Sequence, residues 1–304
     1  DGLESGAGIM PLVWMTDCGG VLARSVPDLA AMLNAVAGTD PADPATADAD
    51  AHIPKDWRTV LSPNALNGKR IGYITAAWVD PFGTSDEPGG VLATEKAALQ
   101  YLTAAGATIV DMSAAALPRT RDTSSGDVVS EGWMQYIDQH PELALQGFAI
   151  HTAVDVACSQ KKIAYVREPA SACQQPPAPR MTPAEIEAKR AFRRQRQAAV
   201  KAWMDAAGVD AIVYPGLLSE ISVNDGGGDR ASFGRRDTPS AANGVPTIAF
   251  PAGADARGNP VDIQLMGRAW SDAELVGMAY AFEQKETAHG HIAPHAVPKL
   301  KYQR

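Results

Sequence analysis

The chain has 304 residues, 45% of them hydrophobic and 20% charged, enough to bury a substantial core as one large domain or two smaller ones. Its 35 acidic and 27 basic residues leave a net charge of −8, so the whole-chain basic footprint of a nucleic-acid binder is missing. No apolar run approaches the roughly 18–20 residues that cross a bilayer, so no membrane partner is expected, and no signal-peptide pattern is visible. The compartment stays open between cytoplasmic and secreted.

In chain order, Ser25-Val26-Pro27-Asp28 reads as a helix start, with Ser as cap and Pro in the first turn. Leu29, Met32, Leu33 and Val36 follow at helical spacing, and Gly38 stops the helix. Asp40 to Ala51 is Asp/Ala/Pro-rich and reads as a solvated loop; it lacks the Gly and terminal Glu of a calcium loop. Arg70 to Ile74 is a short apolar strand, Thr94 to Ala105 a helix closed by Gly106, and Thr108 to Asp111 a second strand. This strand–helix–strand rhythm implies parallel pairing.

Asp127 to Ala157 reads as helical with breaks at Pro141 and Gly147, and Gln174 to Arg180 as a Pro-rich loop. Cys158 and Cys173, 15 residues apart, are compatible with a disulfide or with two free thiols. Met181-Thr182-Pro183-Ala184-Glu185 carries a capping box for a helix that runs to Ala207 and ends at Gly208. On that helix, Lys189, Arg190, Arg193, Arg194 and Arg196 form the one basic run. With Glu185 and Glu187 before it, it reads as a solvated, ion-paired face; a phosphate-binding surface is the alternative.

Asp210 to Pro215 is a buried strand, Gly226 to Gly228 a flexible loop, and Thr247–Phe250 and Val261–Met266 two further strands around a turn at Asp255 to Gly258. Ser271 caps a final helix through about Gln284, and 285–304 reads as an irregular tail. His289, His291 and His295 in that tail lack acidic or Cys companions, so a metal site there is not expected. The elements sum to an α/β fold: a single domain over 1–304 with a mixed, largely parallel sheet covered by helices on both faces.

Three stretches go beyond fold class. The first is Gly8-Ile9-Met10-Pro11-Leu12, then Asp17-Cys18-Gly19-Gly20, then Leu22 to Asp28. The second runs from Ala242-Asn243-Gly244-Val245-Pro246 to Pro251-Ala252-Gly253, and the third from Gly258 to Gly267-Arg268. Their order and spacing resemble the amidase-signature family, from about Gly8 to Gln284; Asp210 to Pro215 also fits, while roughly Asp48 to Ala207 fits only in rhythm.

The resemblance implies amide-bond hydrolysis without metal or organic cofactor. A Ser nucleophile would be activated through a second Ser by a buried neutral Lys, with a Gly/Ser-rich loop as oxyanion hole. In the family these groups lie N-terminal to the stretch matching Gly8 to Leu12. No such loop occurs here. Ser124-Ser125-Gly126 has no glycines before it and sits in the wrong place, so no catalytic residue carries over. The expected partners are a small-molecule amide substrate and an N-terminal amidase fragment or chain that supplies the triad; a homodimer is possible. The competing readings are the ammonia-releasing subunit of an amidotransferase and a non-catalytic scaffold.

This chain could still supply substrate contacts. The loop holding Trp14, Thr16, Asp17 and Cys18 is expected to line the site. Gly216 and Leu217 follow a strand end, where α/β proteins bind ligands, and Ser232 to Asn243 leads into the next strand. Trp133 would add an apolar wall and Asn243 a polar group. The bland alternatives are core packing for Trp133, and for Asp17 and Arg24 a purely structural turn. Cys18 stands where the family has Thr, and without a His close in sequence a nucleophilic role is disfavoured.

Overall fold

A computed structural model describes residues 2–79, 86–117, 121–145, 150–159, 172–174, 176–218 and 240–288. The expectations for Gly147, Gly226–Gly228, Ser232 and its neighbours, and His289, His291 and His295 lie outside the described residues.

Helix α1 (Val26–Val36) begins at Ser25, whose hydroxyl accepts the Asp28 N–H at 3.2 Å, and the Glu283 carboxylate accepts the Val26 N–H at 3.1 Å. It buries Val26, Ala30 and Leu33, whereas Met32 and Val36 face solvent. The inward stripe is thus rotated from the one read in the sequence, because the helix is anchored at Val26. The acidic stretch that follows is also more ordered than a solvated loop. Asp40 accepts the Ser5 hydroxyl, Asp43 the Gly6 N–H and Asp50 the Thr39 N–H, around buried Thr46 and Ala49. Short polar side chains that cap their own turns produce this compactness.

Strand β1 (Arg70–Tyr73), helix α2 (Val91–Ala104) and strand β2 (Thr108–Asp111) form the expected parallel unit, with Ile71 opposite Ile109. α2 starts at Val91, three residues before the Thr94 start expected, because Gly90 adopts the extended cap conformation. Helices α3 (Val128–Gln139), α4 (Glu142–Leu145) and α5 (Ala153–Ala157) replace the interrupted helix, with the break at His140-Pro141. Cys158 and Cys173 are joined by a disulfide. Helix α6 (Pro183–Ala207) has the Thr182/Glu185 capping box and ends on left-handed Gly208.

Strand β3 (Ala211–Pro215) is followed by α7 (Ser240–Asn243), β4 (Thr247–Ala254), β5 (Pro260–Met266) and α8 (Asp272–Ala288). The sheet order is β2-β1-β3-β5-β4: β1 pairs parallel with β2 and β3, and β5 pairs antiparallel with β3 and β4. The sheet is therefore mixed, with a parallel half and an antiparallel half.

Every residue of β3 is buried. Strand side chains alternate between faces, so full burial means that both faces are covered at the sheet centre. On β5, Val261, Ile263 and Leu265 are buried, alternating with partly buried Asp262 and Gln264. α2 and α8 pack on the buried side, and α1 packs on α8. α8 continues to Ala288, into the stretch read as irregular tail, because Glu286 is buried at its end rather than solvated.

Candidate functional site

The loop from Pro11 to Cys18 is built around one carboxylate. Asp17 accepts the N–H groups of Leu12 at 2.6 Å and Val13 at 2.8 Å, and the Val13 carbonyl accepts the Thr16 N–H and hydroxyl. Asp17 is exposed and engaged in its own turn, as a short acceptor does in local loops.

α3 supports this loop from one side. Trp133 donates its indole N–H to the Pro11 carbonyl at 2.5 Å. Beside it Gly132 lets the loop come close: a Cβ there would lie 2.6 Å from the Trp14 Cβ. Trp14 and Trp133 are half-buried, so both indoles offer apolar wall while remaining accessible.

From the other side comes α6. Arg193 donates to the Met15 carbonyl, Arg196 to Asn243 Oδ1 at 2.6 Å, and Gln197 to the Gly244 carbonyl at 2.7 Å. Gly244 has φ +65°, and a Cβ there would sit 2.6 Å from Arg193 Nε, so the two loops meet across one guanidinium. Burial pulls the Arg193 guanidinium below its ordinary pKa, while the neighbouring Cys18 opposes that shift. Cys18 is an exposed free thiol.

One feature of this arrangement corrects the sequence reading. The basic run is not simply a solvated face. Lys189, Arg193 and Arg196 recur at four- and three-residue steps along one side of α6 and turn inward, Lys189 pairing with Asp122 at 2.9 Å. Arg194 behaves as expected, pairing with Glu187 in solvent. Asn243 is fully buried where α6 meets its loop.

The structure thus gathers Trp14, Thr16, Asp17, Cys18, Trp133 and Asn243 around α3 and α6. Gly216 and Leu217 form a second locus at the C-terminal end of β3. Gly216 donates its N–H to the Glu95 carboxyl at 2.8 Å and to the Asp262 carbonyl at 3.2 Å. Glu95, on α2, is fully buried, and burial pushes its pKa up to about 9; the Gly216 N–H works against that rise and the Asp262 charge adds to it. Burial likewise raises Asp262. Glu95 was not singled out by sequence reasoning. The available signal was a carboxylate at helical spacing among Leu92, Ala98 and Leu102 on the apolar stripe of α2. Among the described residues no group of three or more His, Cys, Asp or Glu side chains is placed to hold a metal ion.

Known proteins share this architecture. A family model described as Amidase matches residues 2–276. A glutamyl-tRNA(Gln) amidotransferase subunit from Roseobacter denitrificans is 29% identical, over 91% of this chain and 56% of that protein. The peptide amidase of Stenotrophomonas maltophilia superposes with a TM-score of 0.66 at 27% identity, over 97% of this chain and 58% of that one. A peptide amidase bound to the competitive inhibitor chymostatin gives 0.67 at 28% identity, with the same coverage. The chain therefore spans less than two thirds of the length of these relatives.

Proposed function

The chain belongs to the amidase family, and from that premise we propose that it is the substrate-shaping part of an amide hydrolase. The triad and oxyanion loop would come from a further stretch, in the same polypeptide or another, that lies N-terminal to Gly8 in the family's order. The reaction is acyl transfer to water: an amide R–CO–NH–R′ and one water give an acid and an amine. In this reading a serine of the further stretch attacks the carbonyl. Trp14 and Trp133 form apolar walls for the acyl or leaving group, and the Thr16–Cys18 and Asn243–Gly244 backbones, braced by α6, face the amide.

The observation that carries the reading is the convergence of the Pro11–Cys18 loop, Trp133 and Asn243 in a chain whose fold matches peptide amidases over 97% of its length. A second support is the apolar surface left on and beside that loop: Leu12 is 68% and Leu22 90% exposed. Exposed apolar patches mark contact surfaces, which suits a covering segment.

A second reading, the amide-hydrolysing subunit of an amidotransferase, is favoured by the match to the Roseobacter denitrificans protein. The net charge of −8 argues that any RNA contact in that case belongs to a partner subunit. A non-catalytic scaffold is the remaining alternative, and the exposed Leu12 and Leu22 speak against its standing alone.

Serine-directed covalent labelling of the native assembly, followed by mass spectrometry, tests the reading. Label should appear on a serine outside residues 1–304 and disappear when that stretch is removed. Label on a serine of this chain, or none with full retention of amide hydrolysis, would falsify the division of labour proposed.

A further inference from the structure

Glu95 is fully buried on the inward face of α2, and no Lys or Arg pairs with it among the described residues. Its Oε1 accepts the Gly216 N–H at 2.8 Å, while Oε2 is buried without a hydrogen-bond partner. An isolated carboxylate in such a place is costly, so the group lowers its free energy by taking up a proton. The charge acting on it from a packed element is Asp262 on β5, which disfavours ionisation further. β4 offers no titratable group. On β3, Tyr214 is a phenol, and Asp111 on β2 is exposed and tied to Ser113. Glu286 on α8 couples to Glu283 and Tyr101 instead.

We propose that Glu95 is a positioning residue: held as an un-ionised acid, it fixes the backbone of the Gly216–Leu218 turn at the C-terminal end of β3. Its carbonyl oxygen supplies the acceptor, and its proton removes a charge that would draw water into the sheet. Leu218 is buried beneath the same turn, so Gly216 and Leu218 bracket Leu217 and set where its side chain emerges. The relevance to substrate rests on the amidase reading given above. The placement of the turn does not, and the test is therefore made without substrate.

Infrared and NMR spectra of the wild-type chain, Glu95→Gln and Glu95→Leu carry that test. At pH 7 the wild type should show the carbonyl stretch of an un-ionised carboxylic acid that Glu95→Gln lacks. The Gly216 amide resonance should titrate above neutral pH in the wild type and stay constant in Glu95→Gln, whose amide oxygen keeps the acceptor. In Glu95→Leu the Gly216 amide keeps only its longer bond to the Asp262 carbonyl, and its exchange should rise up to about tenfold, the effect of one lost hydrogen bond. Glu95→Gln should restore wild-type exchange, which separates the acceptor from mere bulk. Absence of the acid band at pH 7, or a Gly216 amide indifferent to both substitutions, overturns the proposal. If Glu95→Leu fails to fold, the wild-type and Glu95→Gln spectra decide it alone.

Discussion

Glu95 and Glu131 are both buried glutamates on helices, yet the fold treats them oppositely. Glu131, on α3, receives a bidentate Arg180 at 2.9 Å and the Met181 N–H at 2.9 Å. The Arg180 bonds pull it down to about 2; burial opposes that, and the Met181 N–H and Gln135 add to it. Glu95, on α2, has one backbone N–H and no cation, and burial pushes it up to about 9. Burial is common to both, so the partner decides the charge state. The same contrast holds in their surroundings. The Pro11–Cys18 and Asn243–Gly244 loops are tied by the Arg193 and Arg196 guanidiniums together with Trp133 and Gln197, and the Gly216 turn by Glu95.

The largest effect is expected where the ionised brace is pushed aside. Gly244→Val places a branched side chain at positive φ and against the Arg193 guanidinium. Strain and overpacking together should cost about 2–4 kcal/mol, read from urea unfolding. An unchanged midpoint would mean that α6 does not brace this loop.

The two glutamates should then respond to pH in opposite directions. Glu95 binds its proton more tightly folded than unfolded, so its contribution is complete below the ordinary carboxylate range. That contribution is lost as pH rises toward about 9. Between pH 6 and 8 the wild type should lose up to about 2–3 kcal/mol relative to Glu95→Gln. Parallel stability curves would show that Glu95 is already ionised. Glu131 is the reverse case: its contribution is present above the ordinary range and is lost as pH falls toward about 2. Because Arg180 is partly exposed, about 1–2 kcal/mol is expected to vanish on acidification. Glu131→Gln should lack that acid-side loss, as urea midpoints at pH 3 and 6 would reveal.

The smallest effect belongs to Asp17. Asp17→Ala removes one acceptor oxygen, and with it two backbone hydrogen bonds, from an exposed loop and should cost about 1 kcal/mol, too little to unfold the chain. Loosening there should instead be seen as a few-fold faster alkylation of Cys18. No change in thiol reactivity would assign the loop's order to Arg193 and Trp133 alone.

Much of this architecture was legible in the residues. The Thr182–Glu185 capping box, the Ser25 cap and the apolar run of β3 are local signals whose physics needs no tertiary partner. The antiparallel insertion of β5 between β3 and β4 was not, because pairing order follows from long-range packing. At the site, the loop carrying Trp14 to Cys18 and the Asn243–Gly244 turn were legible as motifs. What joins them was not. Lys189, Arg193 and Arg196 look like solvated cations until the Asp122–Ser124 stretch and the two loops cover them. Glu95 looks like an ordinary helix-surface acid until the strand ends close over it. In both cases the missing information was the partner rather than the residue.

The most direct test of the proposed activity is to offer the native assembly a panel of primary and substituted amides and to measure released ammonia or amine. Release is expected, and it should depend on the triad-bearing stretch, with Trp133→Ala raising KM by about tenfold while kcat changes little. Such a change is the signature of a lost wall contact. An intact assembly that releases neither ammonia nor amine from any amide offered would contradict the hydrolase reading and leave this chain a scaffold.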